Sequence, residues 1–272
     1  MNNKAFFKDK VIVITGASSG IGRAAALVFA RCNAKVVLAS RNKEKLEALQ
    51  EEIRLQGGQP LALQTDICSL ADTQRMAQET IRQWGRIDIL IANAGQYIQD
   101  DSRGIDLRSY EQSLAVNFMG TLHAVQSVLP EMRRSGRGHI VILNSLDAKK
   151  GIVGDGPYVA AKAALDGFGD VLRQELKADG IHVTSIYPAR VDTPMVKDLH
   201  VPWISPKLSP GNVVRAMARG IKRNRAVVIV PSTFLLLGPL NSLFPRLADR
   251  AYRFFKIEGK KSSDTQGSGA GH

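Results

Sequence analysis

Short apolar runs recur along the whole chain, and segments with the spacing of amphipathic helices separate them. Seven runs are rich in Val, Ile and Leu: "KVIVIT", "AKVVLAS", "PLALQT", "IDILIAN", "GHIVILNS", "IHVTSIYP" and "RAVVIV". Because they lack the apolar–polar alternation of half-exposed strands, they predict strands that are buried on both faces. Strands that alternate with helices predict an α/β fold, here a doubly wound Rossmann-type domain of about seven parallel strands with helices on both faces.

The same pattern sets the expected domain organisation. No Pro-, Gly- or Ser-rich linker divides the 272-residue chain before its final segment. We therefore expect one main domain over residues 1–231, a C-terminal helical extension over 232–259, and a disordered tail over 260–272 whose apolar content is low.

Charge and composition narrow the class of protein. The net charge is +12, and from Lys197 to Lys261 there are 13 Lys and Arg against 3 Asp and Glu, a local excess of +10. The chain begins without the apolar core of a secretory signal and has no run of about 18 apolar residues. Its two cysteines form no cluster suited to a metal, so no metal site is expected. We expect a cytoplasmic protein, at most peripheral on a membrane.

A glycine-rich turn follows the first predicted strand. The segment "TGASSGIG" places Gly16, Gly20 and Gly22 between that strand and a helix, with Ser18, Ser19 and Ile21 among them. A helix N-terminus presents free N–H groups and positive charge density, and glycines allow a pyrophosphate to approach the backbone. The turn is predicted to bind a dinucleotide, although a simple tight turn is the alternative.

The end of the second predicted strand bears on which dinucleotide binds. An NAD site usually has an acidic residue there, whereas this chain reads "VVLASRN" and places Arg41 at that point. A guanidinium can bind a 2′-phosphate that a carboxylate would repel. We expect NADP(H), with NAD preference and a solvated Arg41 as the alternative.

Three further side chains point to proton-transfer chemistry. Tyr158 and Lys162 are four residues apart at the start of a predicted helix, so they share a face. Ser145 lies at the end of a predicted strand, where α/β folds bind ligands. A lysine ammonium beside a tyrosine favours the phenolate, so Tyr158 can exchange a proton with an alcohol or carbonyl that Ser145 hydrogen-bonds.

Taken together, these motifs resemble the short-chain dehydrogenase/reductase family from about residue 10 to 230. The resemblance implies a catalytic set of Asn117, Ser145, Tyr158 and Lys162 and an assembly into homodimers or homotetramers. It also implies that cofactor contacts include Tyr158 and Lys162, together with the glycine loop and the following residues: Asp66, Ile67, Asn93, Ala94, Gly95, Pro188, Val191 and Thr193.

One segment departs from the family pattern. After the sixth predicted strand the family usually has Pro-Gly, but this chain reads "YPARVDTP" with Ala189 and Arg190. The methyl group of Ala189 requires a backbone conformation open to L-residues. Arg190 is expected either to point toward the substrate or to be a surface residue.

The variable C-terminal part is expected to select the substrate. An apolar lid is predicted from Met195, Val196, Leu199, Val201, Trp203 and Ile204. From Leu243 a basic amphipathic helix is predicted, with an apolar side that contacts an anionic membrane, this domain or a second subunit. Nucleic-acid binding is not expected, because the basic residues belong to no recognised motif.

These observations predict an NADP(H)-dependent oxidoreductase that interconverts a ketone or aldehyde and an alcohol on a hydrophobic, lipid- or steroid-like substrate. The alternatives are an NAD-dependent alcohol dehydrogenase and a non-catalytic scaffold that senses nucleotides or docks on a membrane.

Overall fold

Seven parallel strands form one sheet in the computed structural model, which describes residues 3–100, 104–196 and 207–255. Each apolar run identified in the sequence coincides with one of them, although β3 begins one residue before its run. The strands are β1 Val11–Thr15, β2 Lys35–Ser40, β3 Gln59–Gln64, β4 Ile89–Ala92, β5 Gly138–Leu143, β6 Ile181–Pro188 and β7 Val227–Val230. The predicted α/β class and strand number are thus confirmed.

Helices connect successive strands and cover both faces of the sheet. They are α1 Asn3–Phe7, α2 Gly20–Arg31, α3 Lys43–Leu55, α4 Leu70–Trp84, α5 Leu107–Ser113, α6 Gly120–Ser135, α7 Gly156–Glu175, α8 Pro210–Lys222, α9 Leu237–Leu243 and α10 Pro245–Phe254. A π-helical segment, Leu114–Met119, joins α5 to α6. Among the described residues, no helix combines the length and apolar character needed to cross a bilayer.

The two faces of the sheet are buried in separate apolar cores. Along β1, Ile12 and Ile14 belong to the core on one face, whereas Val13 belongs to the core on the other. This explains why the strand sequences show apolar runs rather than alternation. At the edge of the sheet, β3 is half-buried, so the expectation of complete burial fails there because a strand pairs with it on one side only.

Local sequence accounts for the bounds of α3. The side chain of Asn42 accepts a hydrogen bond from the backbone N–H of Lys45 at 2.8 Å, which caps the helix start. At the other end, Gly57 has a φ of +76°, a conformation that glycine adopts readily after a helix. Glycine at this position therefore lets the chain turn away from the end of α3.

The strand order creates the crevice in which the site lies. The order is β3-β2-β1-β4-β5-β6-β7, so the chain builds outward from β1 to β3 and then crosses back to β4. Helices leaving β1 and β4 diverge, and a crevice opens beyond the carboxyl ends of these two strands.

The predicted C-terminal extension is helical, and the helix expected from Leu243 corresponds to α10, which begins at Pro245. Helix α9 ends at Leu243 and α10 begins at Pro245, with Phe244 in a non-helical conformation between them (φ −133°, ψ 60°). Proline disfavours a helical conformation in the residue before it, which explains the break.

Candidate active site

A cavity of about 350 Å³ lies at the carboxyl edge of the sheet. Of the residues predicted to bind cofactor or to act in catalysis, all but Gly22 line it. They are Gly16, Ser18, Ser19, Gly20, Ile21, Arg41, Asp66, Ile67, Asn93, Ala94, Gly95, Asn117, Ser145, Tyr158, Lys162, Pro188, Val191 and Thr193. Residues far apart in the chain thus share one site.

The glycine loop is packed against the end of β4. Gly16 has a φ of +67°, and a Cβ there would lie 2.8 Å from the Cα of Ala94. Gly22 is buried behind the loop, where a Cβ would lie 2.2 Å from the carbonyl oxygen of Gly16. These glycines therefore hold the turn and α2 together, a role beyond admitting phosphate.

Asn93 supports the loop through its side chain. Its Nδ2 donates to the carbonyl oxygen of Thr15 at 2.8 Å, and its backbone N–H donates to the hydroxyl of Thr15 at 3.0 Å. The amide of Asn93 is engaged with the protein backbone, so it contributes to the site mainly by joining the ends of β1 and β4.

Replacing Gly22 with alanine is expected to destabilise the fold by about 1–3 kcal/mol, because the added methyl overlaps backbone atoms that cannot move independently. Chemical unfolding measures the change. Gly167→Ala in α7 is the matched control, since a Cβ there meets no atom within 4 Å. Equal stability of the two variants would contradict the packing role of Gly22.

One end of the cavity is suited to an adenosine moiety. Arg41 lies just beyond the end of β2, is exposed, and lines the cavity beside Ser40 and Asn42. Ile67 packs against Gly120, where a Cβ would lie 2.6 Å from its terminal methyl. The Oδ1 atom of Asp66 accepts from the N–H of Cys68 at 2.9 Å, which fixes the loop after β3.

The free N–H groups of α2 face the same cavity. Ser19 occupies the N-cap position, but its side chain accepts no capping hydrogen bond. The first-turn residues Gly20 and Ile21 line the cavity. A helix end of this kind suits the pyrophosphate of a dinucleotide.

Ala189 and Arg190 line the other end of the cavity, away from Arg41. Neither has a positive φ, so the methyl group of Ala189 is accommodated without strain. The backbone N–H of Ala189 donates to the carbonyl oxygen of Val230 at 2.7 Å. Arg190 lines the cavity and its charge acts on Asp147 and Asp155, so its side chain points toward the substrate end.

The predicted catalytic side chains converge at the end of β5. The hydroxyls of Ser145 and Tyr158 are within hydrogen-bonding reach of each other. Lys162 is 4% exposed, its Nζ lies 5.6 Å from the centre of the Tyr158 ring, and it donates to the carbonyl oxygen of Leu143 at 2.8 Å. This lysine is therefore held in a defined position beneath the tyrosine.

Asn117 lies within the π-helical segment. Its Oδ1 accepts from the backbone N–H of Gln96 at 3.0 Å, and its Nδ2 donates to the carbonyl oxygen of Gln96 at 2.8 Å. Gly95 separates this amide from Lys162, since a Cβ on Gly95 would lie 2.7 Å from Oδ1 and 3.9 Å from Nζ. Asn117 thus ties the loop after β4 to the π-helical segment, close to Lys162.

The charges of the site differ from those expected for an activated tyrosine. Burial raises the pKa of Tyr158 above that of a free tyrosine, and the carboxylate of Asp147 raises it further. Burial also lowers the pKa of Lys162 to about 8. Burial and Asp147 thus act against the lowering of the Tyr158 pKa that was expected from Lys162.

Three polar residues of the cavity were not identified from the sequence. Tyr97 donates a hydrogen bond to the buried carboxylate of Asp155 and packs edge-on against Tyr158, with ring centres 5.1 Å apart. The second carboxyl, Asp147, has a pKa raised to about 6 by burial. Asp147 follows Ser145 by two residues and Asp155 precedes Tyr158 by three, so proximity to the catalytic motif was the available signal.

Replacing Asp147 with asparagine is expected to lower the pKa of Tyr158, because a carboxylate that opposes phenolate formation is removed. Alcohol oxidation needs the phenolate, so the rising limb of its pH–rate profile should move to lower pH. Asp170→Asn is the control, since Asp170 is exposed on α7, the helix that carries Tyr158, and pairs with Arg173. An unshifted limb in the Asp147 variant would show that this carboxylate does not act on the tyrosine.

Only part of the predicted apolar lid can be placed. Met195 and Val196 form a short 3₁₀ turn that lines the cavity. The other four lid residues, Leu199, Val201, Trp203 and Ile204, lie outside the described residues.

Comparison with known proteins agrees with this geometry. The family model for short chain dehydrogenases matches residues 10–201. An uncharacterized oxidoreductase of Listeria monocytogenes is 34% identical over 194 residues, covering 71% of this chain and 78% of the relative. Another from Bacillus subtilis is 31% identical over 253 residues, covering 89% of this chain and 71% of the relative.

Solved structures share the fold. A short chain dehydrogenase/reductase from Burkholderia phymatum in complex with NAD superposes with a TM-score of 0.81 at 25% identity, over 89% of this chain and 95% of that protein. A 7α-hydroxysteroid dehydrogenase complexed with NADH and 7-oxo glycochenodeoxycholic acid superposes with a TM-score of 0.79 at 25% identity, over 84% of this chain and 96% of that protein. The chain is therefore an oxidoreductase that belongs to the short-chain dehydrogenase/reductase family.

Proposed function

We propose that this protein is an NADP(H)-dependent oxidoreductase that interconverts a ketone or aldehyde and an alcohol on a hydrophobic, lipid- or steroid-like substrate. The observation that carries the proposal is the convergence of Ser145, Tyr158 and Lys162 in a cavity that also contains the glycine loop. This arrangement supports a site in which proton transfer and dinucleotide binding take place together.

The glycine loop and Arg41 would hold the dinucleotide, whose nicotinamide would supply a hydride in reduction and take one up in oxidation. In the reductive direction, Tyr158 donates its proton to the carbonyl oxygen while Ser145 donates a hydrogen bond to the same oxygen. In the oxidative direction, the phenolate of Tyr158 takes the proton of the alcohol. Lys162 lies beside the ring of Tyr158, and Asn117 fixes the backbone of the loop after β4.

Arg41 supports NADP(H) over NAD(H). It stands at the end of β2, where no acidic side chain is present to bind a ribose 2′-hydroxyl or to repel a 2′-phosphate. NAD(H) is the second candidate, because the solved structures from Burkholderia phymatum and of the 7α-hydroxysteroid dehydrogenase hold NAD and NADH.

The substrate end of the cavity favours a bulky, mainly apolar molecule that also carries a polar group. Met195 and Val196 provide apolar contact surface, and the ring of Tyr97 lies beside Tyr158. Arg190 and Asp155 offer polar partners at the same end. The steroid conjugate bound to the 7α-hydroxysteroid dehydrogenase has this combination of properties.

Side-by-side fluorescence titrations with NADPH and NADH test the cofactor, and a panel of ketosteroids, long-chain ketones and aldehydes tests the reaction. Selective NADPH binding with turnover on an apolar carbonyl is the expected result. Preferential binding of NADH would overturn the NADP(H) assignment in favour of NAD(H). Tight NADPH binding without turnover across the panel would overturn the catalytic assignment and favour a scaffold.

A further inference from the structure

Exposed apolar side chains are concentrated in the C-terminal extension. Half of the large apolar side chains exposed in the described part of the chain lie between positions 235 and 255. We call this surface the C-terminal apolar patch. It consists of Leu235, Leu236, Leu240, Leu243, Phe244, Leu247, Phe254 and Phe255. Soluble monomers rarely leave so many large apolar side chains together in water, so this surface requires a partner.

Helix α10 directs opposite faces toward the domain and toward solvent. Asp249 forms an ion pair with Lys150, and Tyr252 packs beneath the same ammonium group, 5.6 Å from Nζ to the ring centre. Leu247 and Phe254, on the other face, are 64% and 81% exposed. The apolar side therefore does not pack on this domain, which removes one of the three arrangements considered from the sequence.

The C-terminal extension contacts the domain at the substrate end of the active site. In α9, the Nδ2 of Asn241 donates to the carbonyl oxygen of Lys149 at 3.3 Å, on the loop that follows Ser145. Tyr252 is close enough to Asp147 and Arg190 for both charges to act on it. A surface that binds this patch would consequently lie beside the opening of the cavity.

The charge of the residues beside the patch distinguishes the two partners that remain, an anionic membrane and a second copy of the chain. Arg246, Arg250 and Arg253 are exposed along one edge of the patch. The acidic residue of α10, Asp249, is already paired with Lys150. A two-fold contact between copies would place two sets of these arginines in one interface, because each patch would meet itself. An anionic lipid surface would instead neutralise them while its acyl region receives the apolar side chains.

We propose that the C-terminal apolar patch docks this protein on an anionic lipid bilayer, with α9 and α10 lying in the interface and the opening of the cavity beside the lipid. The attachment is peripheral. Substrates dissolved in the lipid phase would then reach the site without crossing water. Docking itself does not depend on the proposed reaction, so its failure and the failure of the proposed function are separable.

The test uses the full-length protein and co-sedimentation with vesicles of phosphatidylcholine alone or of an equimolar mixture with phosphatidylglycerol. Binding is expected on the anionic vesicles and should weaken as salt is raised, because the arginine contribution is screened. Absence of binding to the anionic vesicles would overturn the proposal.

Substitutions within the C-terminal apolar patch test whether this surface is the one that contacts the vesicles. The double variant Leu247→Asp and Phe254→Asp should reduce partitioning onto anionic vesicles by at least about 10-fold, since two exposed apolar anchors are lost. Leu55→Asp with Leu107→Asp is the matched control, because these leucines are 79% and 68% exposed elsewhere. Unchanged thermal unfolding verifies that each variant is folded.

Two results would contradict the proposal. Equal loss of vesicle binding in both double variants would show that the patch has no special role. If light scattering finds an oligomer that dissociates only in the Leu247→Asp and Phe254→Asp variant, and the wild-type chain does not bind vesicles, a second copy of the chain covers the patch.

Discussion

The Tyr158→Phe variant is expected to lose about 10³-fold in kcat while its affinity for NADPH stays nearly unchanged. Phenylalanine keeps the edge-on packing against Tyr97, at 5.1 Å between ring centres, but removes the hydroxyl that meets Ser145. The proton acceptor or donor is lost without a change in cavity shape. Single-turnover kinetics with NADPH, together with a binding titration, measures both quantities.

Tyr187→Phe is the matched control for that experiment. Tyr187 is buried and donates a hydrogen bond to Asp166, outside the residues that line the cavity. Its replacement removes one buried hydroxyl at a cost in stability of about 1 kcal/mol and should leave kcat within the same order of magnitude. Normal turnover in Tyr158→Phe would refute the assignment of Tyr158 as acid and base.

The Arg41→Asp variant is expected to bind NADPH at least about 100-fold more weakly and to bind NADH no worse than before. The substitution removes a guanidinium that can hold a 2′-phosphate and introduces a carboxylate that repels it. The same carboxylate can accept a hydrogen bond from a ribose hydroxyl. Titrations with both cofactors show the effect as a change in their ratio.

A second variant with the same change in charge distinguishes a direct contact between Arg41 and the 2′-phosphate from an effect of the protein's net charge. Arg31→Asp serves this purpose, because Arg31 is exposed at the end of α2 and donates to Gln56. That variant should change NADPH affinity little. If both variants weaken NADPH alike, net charge rather than a phosphate contact explains the preference.

Much of the fold could be read from the sequence because its signals are local. Each buried strand, such as β5 with "GHIVIL", carries a continuous apolar run, and α3 is marked by Asn42 at its start and Gly57 at its end. Such patterns depend on neighbouring residues only. They predict the class of fold and the number of strands correctly, and Pro245 explains why α10 begins there rather than at Leu243, where the helix was expected.

The candidate site could be outlined from motifs but not described electrostatically. Tyr158 and Lys162 share a helix, so their proximity follows from spacing. The pKa of Tyr158 depends instead on burial and on Asp147 and Asp155, whose distances from it arise only when the loop after β5 folds back over the site. The role of Asn93 likewise depends on a contact with Thr15, 78 residues earlier in the chain.

By itself, the sequence determined the α/β class, the seven strands, the glycine turn and many of the residues that line the cavity, but not Tyr97, Asp147 or Asp155. Tertiary structure decided which of these residues touch, how burial and the two carboxylates set the charges around Tyr158, and which side of α10 faces solvent. The physical reason is that hydrophobic periodicity and turn chemistry act over a few residues. Desolvation and electrostatic interaction instead depend on distances that only the folded chain establishes.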